Sequence, residues 1–322
     1  MLGIIGVSYM HFIRTLAEDE KVSGFLEKAK SVGLDGVEIM WDHGMMKMGE
    51  RDLLALRRRA DDLGMYLELN VGLLTDSCFE ECVKAASKMG CKIVNTFLGM
   101  QCRPKTIKSV DDARAFNKKA KADLKAAEEI GRKYGARIAV ETHTDRTADD
   151  WVDIMEEART EHVGLRLDTA NCLWTAEDPV EVSRKLAPYV ETIHLKDWRI
   201  VERPDLPCGY TTQDVVSGQG HVNLKSIVSI LKKTKPDIDF TIECITCCLP
   251  IELPWLDEAF WNTFEKPDAG SLVKMLKLIK NTPRTGWEAL RDCSLMTADE
   301  VLEYENHNVK ACINYAQEVL GI

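Results

Sequence analysis

Short apolar segments alternate along the chain with longer amphipathic ones, an alternation typical of βα units that build a parallel sheet. Eight short segments have the length and character of strands, at residues 3–7, 36–40, 66–70, 92–97, 137–141, 163–168, 192–194 and 240–243. Amphipathic periodicity predicts helices near 20–32, 51–63, 78–89, 111–134, 148–158, 178–187, 222–233 and 268–280. Eight repeats favour a closed (β/α)8 barrel over an open sheet.

The helix predicted over 111–134 has the clearest local signals. Ser109 and Asp112 have the spacing of a capping box at its start. Gly135 follows its last periodic residue, as glycine commonly does after a helix.

The length of the chain indicates one barrel with additions. A (β/α)8 barrel needs about 250 residues, and this chain has 322. The excess falls in long loops after strands seven (198–220) and eight (247–267) and in a C-terminal helix near 298–319. We therefore expect a single domain over 1–322, with a barrel core over about 1–280 and a C-terminal helical extension over 281–322.

The amino-acid composition argues against two classes of protein, those that bind nucleic acid broadly and those that span a membrane. The formal net charge is −10, which disfavours broad nucleic-acid binding, and no apolar run approaches the length of a membrane span. The apolar N-terminus lacks a basic stretch before it and is interpreted as a first strand, not a signal peptide. The eleven cysteines are scattered and are expected to serve as small apolar residues in a reducing cytoplasm.

Four consecutive predicted strands end in residues that can bind a metal: Glu141, Asp168, His194 and Glu243. In a barrel the strand ends gather on one face, so three acids would repel one another there. A divalent cation removes this repulsion, and the ligand set suits Mn²⁺, our first expectation, or Co²⁺, Fe²⁺, Zn²⁺ or Mg²⁺.

These strand ends, read as VETH, LDTAN, IHLKD and TIEC, resemble those of the xylose-isomerase-like barrel superfamily of sugar phosphate isomerases and epimerases. IGVSY on strand one, GLDGVEIM on strand two and GQGHVNL at 218–224 fit the same pattern, so the resemblance covers most of 1–245. It implies that the four residues bind one metal. It also implies that Glu141 and Glu243 move the proton on opposite faces of a sugar while the metal stabilises an enediolate.

Two positions depart from the usual epimerases. Asn171 stands where they carry a histidine, and Thr147 stands where they often carry a second glutamate. His143, beside the first ligand, is either the general base or a hydrogen-bonding partner of the ligands. Glu-x-His with Asp-x-x-Asn also resembles catalytic subunits of C-glycoside deglycosidases, which act on 3-oxo glycosides. That alternative implies β-elimination of the aglycone and a small β-rich partner subunit.

Asn171 and other residues near the strand ends are candidates for substrate binding. Lys196 would contact a substrate oxygen or carboxylate, or form a salt bridge to Asp197 or Glu38. His221 precedes helix seven and would face the barrel mouth or be solvated. The tryptophans near strand ends or in the segment after strand eight would stack on sugar rings or aglycones, or else pack loops or a subunit interface: Trp41, Trp174, Trp198, Trp255 and Trp261.

The sequence thus predicts metal-dependent proton abstraction next to a sugar carbonyl, with 3-oxo-glycoside cleavage as the alternative. A homo-oligomer, or a hetero-oligomer with the small β-rich subunit, is expected. Two further alternatives remain: an abasic-site endonuclease, which would need more histidines and a basic groove, and a non-catalytic sugar-binding barrel.

Overall fold

The computed structural model describes residues 1–41, 45, 48–99 and 102–322, and it confirms the closed parallel barrel. The eight barrel strands are β1 Leu2–Ile5, β2 Gly36–Met40, β3 Tyr66–Leu73, β4 Ile93–Phe97, β5 Ile138–Glu141, β6 Val163–Asp168, β7 Val190–Leu195 and β10 Phe240–Ile242. They neighbour one another in the order β1-β10-β7-β6-β5-β4-β3-β2. Each strand is short and apolar because both of its faces are covered, by the barrel interior and by the outer helices.

The helices surround the barrel, and their bounds follow the amphipathic pattern. They are α1 Met10–Arg14, α2 Lys21–Ser31, α3 Glu50–Asp62, α4 Phe79–Lys88, α5 Val110–Tyr134, α6 Ala148–Ala158, α7 Pro179–Leu186, α8 Leu224–Thr234, α9 Glu258–Trp261, α10 Ala269–Asn281 and α11 Ala298–Tyr315. The predicted start of α5 is confirmed, since the Ser109 side chain accepts a hydrogen bond from the Asp112 backbone. Gly135 ends this helix in the left-handed conformation at φ 61°. No helix in the described part of the chain is long and apolar enough to cross a membrane.

The long loops after strands seven and eight build a second, smaller sheet that the sequence pattern did not reveal. Strands β8 Asp197–Glu202, β9 Tyr210–Val215 and β11 Ile251–Leu253 pair antiparallel in the order β11-β9-β8. Because β8 begins two residues after β7 ends, this sheet stands beside the carboxyl ends of the barrel strands.

The C-terminal extension is fastened to the start of the barrel. The buried carboxylate of Glu305 in α11 accepts hydrogen bonds from the backbone of His11 and Phe12, at 2.7 and 2.9 Å. A disulfide also joins Cys247, after β10, to Cys293, just before α11. The expectation that the cysteines are all unpaired thiols is therefore wrong for this pair, because the fold brings together two residues that lie 46 positions apart.

Candidate active site

The carboxyl ends of β5, β6, β7 and β10 place all four predicted ligands in one buried cluster. Glu141 and Asp168 end their strands, and together with His194 they offer ligand atoms that all lie within 4.8 Å of one another. Glu243 directly follows β10, and its Oε2 lies 2.5 Å from Nδ1 of His194. The structure therefore contains a candidate metal-binding triad with a fourth carboxylate against it.

Three atoms of this cluster are buried without a hydrogen-bond partner: Asp168 Oδ2, His194 Nδ1 and Glu243 Oε2. Glu243 Oε2 and His194 Nδ1 lie 2.5 Å apart and form an ion pair when His194 is protonated. Buried polar atoms of this kind are costly unless something satisfies them. One imidazole nitrogen and converging carboxylate oxygens form a donor set that suits a divalent first-row metal or Mg²⁺, so the residues fit the ion.

Neighbouring groups hold the ligand carboxylates in place. The side-chain amide of Asn171 donates to Glu141 Oε1 at 3.0 Å, and Arg166 Nη2 donates to Glu141 Oε2. Asp168 Oδ1 accepts hydrogen bonds from the backbone of Ala170 and Asn171 at 2.8 and 2.9 Å. The other carboxylate oxygen, Oδ2, takes no part in these bonds. Asn171, predicted to bind substrate, thus contacts two of the ligands directly.

Lys196 pairs with Glu243, one of the predicted ligands, and not with Asp197 or Glu38. Its Nζ donates to Glu243 Oε1 at 2.9 Å and lies 3.8 Å from Asp168 Oδ2. The lysine is buried, yet the charge of Glu243 outweighs burial and raises the pKa of Lys196 well above its usual value. It is therefore a fixed positive charge inside the cluster.

The electrostatics keep both glutamates ionised at neutral pH. Burial opposes the charge of Glu243, but Lys196 and His194 lower its pKa well below the usual range. Burial likewise opposes the charge of Glu141, whose pKa is lowered by Arg166 and His194. For Asp168, burial dominates and raises the pKa to about 7.

His143 lies at the edge of this cluster and is half-buried. Its ring stacks on Phe97, with centroids 6.3 Å apart, and its Nδ1 lies 3.1 Å from Thr144 Oγ1. Thr147, where epimerases often carry a glutamate, instead caps α6 through a capping box with Asp150.

The tryptophans Trp174 and Trp198 are buried and form hydrogen bonds to neighbouring segments of the chain. Trp174 is buried and its indole N–H donates to the Arg103 carbonyl at 3.3 Å, while buried Trp198 donates to Asp214 at 3.2 Å. Trp198 also lies under the cation of Lys196, 5.4 Å from ring centroid to Nζ. Trp41 is half-buried and directly follows β2.

His221 lies against β8, which is an edge strand of the small sheet. Its backbone N–H donates to the Trp198 carbonyl at 2.9 Å, and its ring Nδ1 accepts from the backbone of Ile200 at 2.9 Å. Its ring also meets Trp287 edge-on, with centroids 5.1 Å apart. In the structure these contacts are with β8 and the C-terminal segment.

The sequence analysis missed Arg166, and it considered Glu38 as a possible partner of Lys196, whereas Glu38 contacts Arg166 and His194. Both are buried inside the barrel, where Glu38 Oε2 lies 2.8 Å from Nε2 of the ligand His194. The signal for Arg166 was available, since a residue two positions before Asp168 in a strand faces the same side.

The comparisons with known proteins agree with this geometry. Residues 26–261 match the family model described as xylose isomerase-like TIM barrel. The uncharacterized protein YihM of Escherichia coli is 23% identical over 210 residues, which make up 64% of this chain and 61% of that protein. The match thus spans less than two thirds of that relative's length.

Two further proteins are similar to this chain, one in sequence and one in structure. The 3-oxo-isoapionate decarboxylase of Pectobacterium atrosepticum is 23% identical over 223 residues, 69% of this chain and 77% of that enzyme. A structure of D-psicose 3-epimerase with D-tagatose, from Clostridium cellulolyticum H10, superposes with a TM-score of 0.62 at 15% identity, covering 99% of both chains. At this identity the structural likeness establishes the fold.

Proposed function

Because the chain belongs to the xylose isomerase-like TIM barrel family, we propose that it is a divalent-metal-dependent enzyme that removes a proton next to a sugar carbonyl. The observation that carries the proposal is the convergence of two ionised glutamates, Glu141 and Glu243, with Asp168 and His194 in one buried cluster. Removal of such a proton needs a carboxylate base together with stabilisation of the developing oxyanion.

Glu141, Asp168, His194 and Glu243 would hold the metal, with Mn²⁺ as our first choice. When bound, such an ion polarises a carbonyl and its neighbouring hydroxyl and so makes the adjacent C–H bond more acidic.

The protein's own side chains would move the proton. Glu243 Oε1 is held by Lys196, whereas Oε2 contacts only Nδ1 of His194 in the cluster, so Oε2 would accept the proton from the substrate carbon. Glu141, held from the other side by Arg166 and Asn171, would take a proton from solvent and deliver it to the opposite face of the same carbon, while Glu243 releases its proton to solvent. The outcome is epimerisation through an enediolate, and delivery of the proton to the neighbouring carbon would give isomerisation.

An alternative reaction, β-elimination from a 3-oxo-glycoside, begins with the same proton removal. Two observations favour it: His143 stands beside the glutamate ligand against Phe97, and one relative is named for a 3-oxo substrate. His143 would then protonate the leaving aglycone, and a small β-rich partner subunit would be required. Trp41, Trp174, Trp198, His221 and Lys196 are proposed to shape the sugar-binding side of the mouth in either reaction.

Solvent-deuterium exchange tests the function directly. The purified protein, loaded with Mn²⁺, is incubated in D₂O with a set of ketoses and with 3-oxo-glycosides, and label at the carbon next to the carbonyl is followed by NMR. We expect label in one substrate class, and its loss in the His194→Ala and Glu243→Ala variants but not in the exposed control Glu303→Gln. Equal labelling with all four proteins, or tight Mn²⁺ binding by none, would contradict the proposal.

A further inference from the structure

A pair of opposite charges is buried in the barrel interior beneath the ligand cluster. Glu38 and Arg166 are each only 1% exposed. Barrel interiors are usually filled with branched apolar side chains. Taking two charges out of water costs several kcal/mol per ion unless the geometry repays it, and well-packed apolar residues often do as well. A role beyond packing would explain why charges occupy this layer.

The barrel order brings this pair together across the axis. Strands β2 and β6 stand four steps apart in either direction around the eight-stranded ring, so they face each other. Arg166 lies two residues before the ligand Asp168 and therefore points to the same interior side, one layer deeper.

The pair connects two ligands that belong to different strands. Arg166 donates to Glu38 through Nη1 and to the ligand Glu141 through Nη2. Glu38 Oε2 in turn lies 2.8 Å from Nε2 of the ligand His194, and Asn70 donates to Glu38 Oε1 at 2.7 Å. A continuous chain of contacts thus runs from Glu141 through Arg166 and Glu38 to His194.

This chain determines which nitrogen of His194 is free. When Nε2 carries the proton and donates it to Glu38, Nδ1 is the nitrogen left to bind an ion, and it lies on the side of the ring that faces Glu243, whose Oε2 is 2.5 Å away. A carboxylate that accepts from the far nitrogen of a histidine fixes both its tautomer and its ring orientation.

We propose that Glu38 and Arg166 are positioning residues for the metal site, with Glu38 orienting His194 and Arg166 fixing Glu38 and Glu141 relative to each other. The inference rests on the proposed function, because it assumes that the cluster binds a divalent ion. It goes further because it makes the affinity for the divalent ion depend on Glu38 and Arg166, which do not bind the ion themselves. A purely structural pair would instead affect stability and leave the affinity of the folded protein unchanged.

Calorimetric titration of the metal-free protein with Mn²⁺ tests the inference. Glu38→Gln should raise the Kd about 10- to 100-fold, since loss of such a partner typically has that effect. Glu177→Gln is the control, because Glu177 is a half-buried carboxylate whose hydrogen bonds go to Thr175 and to the backbone of Ala148. Its Kd should stay within about twofold of wild type.

Arg166→Met and Arg166→Lys supply a second, independent comparison. We expect weaker Mn²⁺ binding with methionine and partial recovery with lysine, which keeps the charge but loses the fork that reaches both glutamates. Visible spectra of the Co²⁺-loaded proteins report ligand geometry and should change with Glu38→Gln but not with Glu177→Gln. If Glu38→Gln does not fold, Glu38→Asp, which shortens the reach to His194, should weaken binding in the same direction.

The outcomes separate this inference from the proposed function. If wild type binds Mn²⁺ and Glu38→Gln binds it equally well with an unchanged Co²⁺ spectrum, the positioning role is overturned while the metal site stands. If wild type itself binds no divalent ion, the proposed function and this inference are both overturned.

Discussion

The carboxylate of Asp197 is enclosed by the backbone of the loop that contains Gly220. The N–H groups of Gly218 and Gly220 both donate to Asp197 Oδ2 at 2.9 Å, and that of Val222 donates to Oδ1 at 3.1 Å. The two glycines at 218 and 220 therefore provide backbone N–H groups that bind a carboxylate of the same chain. Because Asp197 begins β8 and directly follows Lys196, this contact connects the loop before α8 to the residue next to the site lysine.

Replacing Gly220 by alanine should be strongly destabilising. A Cβ there would lie 2.1 Å from Asp197 Oδ1 and 2.6 Å from the Trp198 carbonyl oxygen, so both side chain and backbone would have to move. We expect a loss of about 2–4 kcal/mol in the free energy of unfolding, measured with urea.

Gly49→Ala is the control for this prediction, because the nearest atom to a Cβ at Gly49 is 3.8 Å away. It should change the free energy of unfolding by less than about 1 kcal/mol. Equal losses of unfolding free energy in the two variants would show that the close contact between Asp197 and Gly220 does not cause the loss.

The fold and the central cluster could be predicted from sequence for one physical reason. Parallel strands that close into a barrel bring their carboxyl ends to one face, so Glu141, Asp168, His194 and Glu243 had to converge once the strands were identified. The contact between Arg166 and Glu38, one layer deeper in the barrel, was not predicted. Arg166 is embedded in an apolar strand, and its partner Glu38 lies 128 residues away on the opposite side of the barrel.

The long loops were located correctly, but their structure was not predicted. Strand β11 has only three residues, and residues 216–250 separate it from its partner β9, so no local pattern encodes the pairing. The disulfide is similar, because pairing of Cys247 with Cys293 depends on Cα atoms that the fold brings to 5.6 Å. The tryptophans were correctly placed near the strand ends, but only the structure shows that Trp174 and Trp198 are buried.

Substituting Lys196 by methionine should separate metal binding from proton transfer. Lys196 stabilises the ionised form of Glu243, so its loss should slow solvent-deuterium exchange by about 100-fold or more. Removing a positive charge 3.8 Å from Asp168 should not weaken Mn²⁺ binding, because it leaves the cluster more negative.

Exchange rates and Mn²⁺ titrations of the same preparations check this prediction, with the exposed Lys225→Met as control. A parallel loss of exchange and of Mn²⁺ affinity would instead indicate that the lysine organises the ligands themselves.

The pH dependence of stability should report the buried carboxyl of Glu68. Burial, with the charge of Glu38, raises the pKa of Glu68 to about 7 in the folded protein. The folded state therefore keeps a proton that the unfolded chain releases near its ordinary value of 4.5. The stabilisation from this proton is complete below about 4.5 and is lost as the pH rises through about 7.

Glu68→Gln removes this titration while keeping an acceptor for Asn95. Between pH 5 and 8 the free energy of unfolding of the metal-free variant should gain roughly 2–3 kcal/mol relative to wild type. Urea unfolding across this range measures the difference, and the exposed Glu303→Gln should show no such trend. A constant difference at all pH values would mean that Glu68 is ionised in the folded protein.

The disulfide between Cys247 and Cys293 should stabilise the attachment of the C-terminal helices to the barrel mouth. It closes a loop with a sequence separation of 46 residues that begins four positions after the ligand Glu243. A cross-link of this kind restricts the unfolded chain and is worth about 2–4 kcal/mol. Under non-reducing conditions Cys293→Ser should lose stability by this amount, while Cys248→Ser, at the neighbouring thiol, should not.

Reductant provides the internal check, because it should lower the stability of wild type to that of Cys293→Ser and leave the variant unchanged. The unfolded, non-reduced wild type should also show nine titratable thiols from its eleven cysteines. A count of eleven with no effect of reductant would mean that Cys247 and Cys293 are thiols in the purified protein. Packing of α11 through Glu305 onto the backbone of His11 and Phe12 would then be what fastens the C-terminal extension.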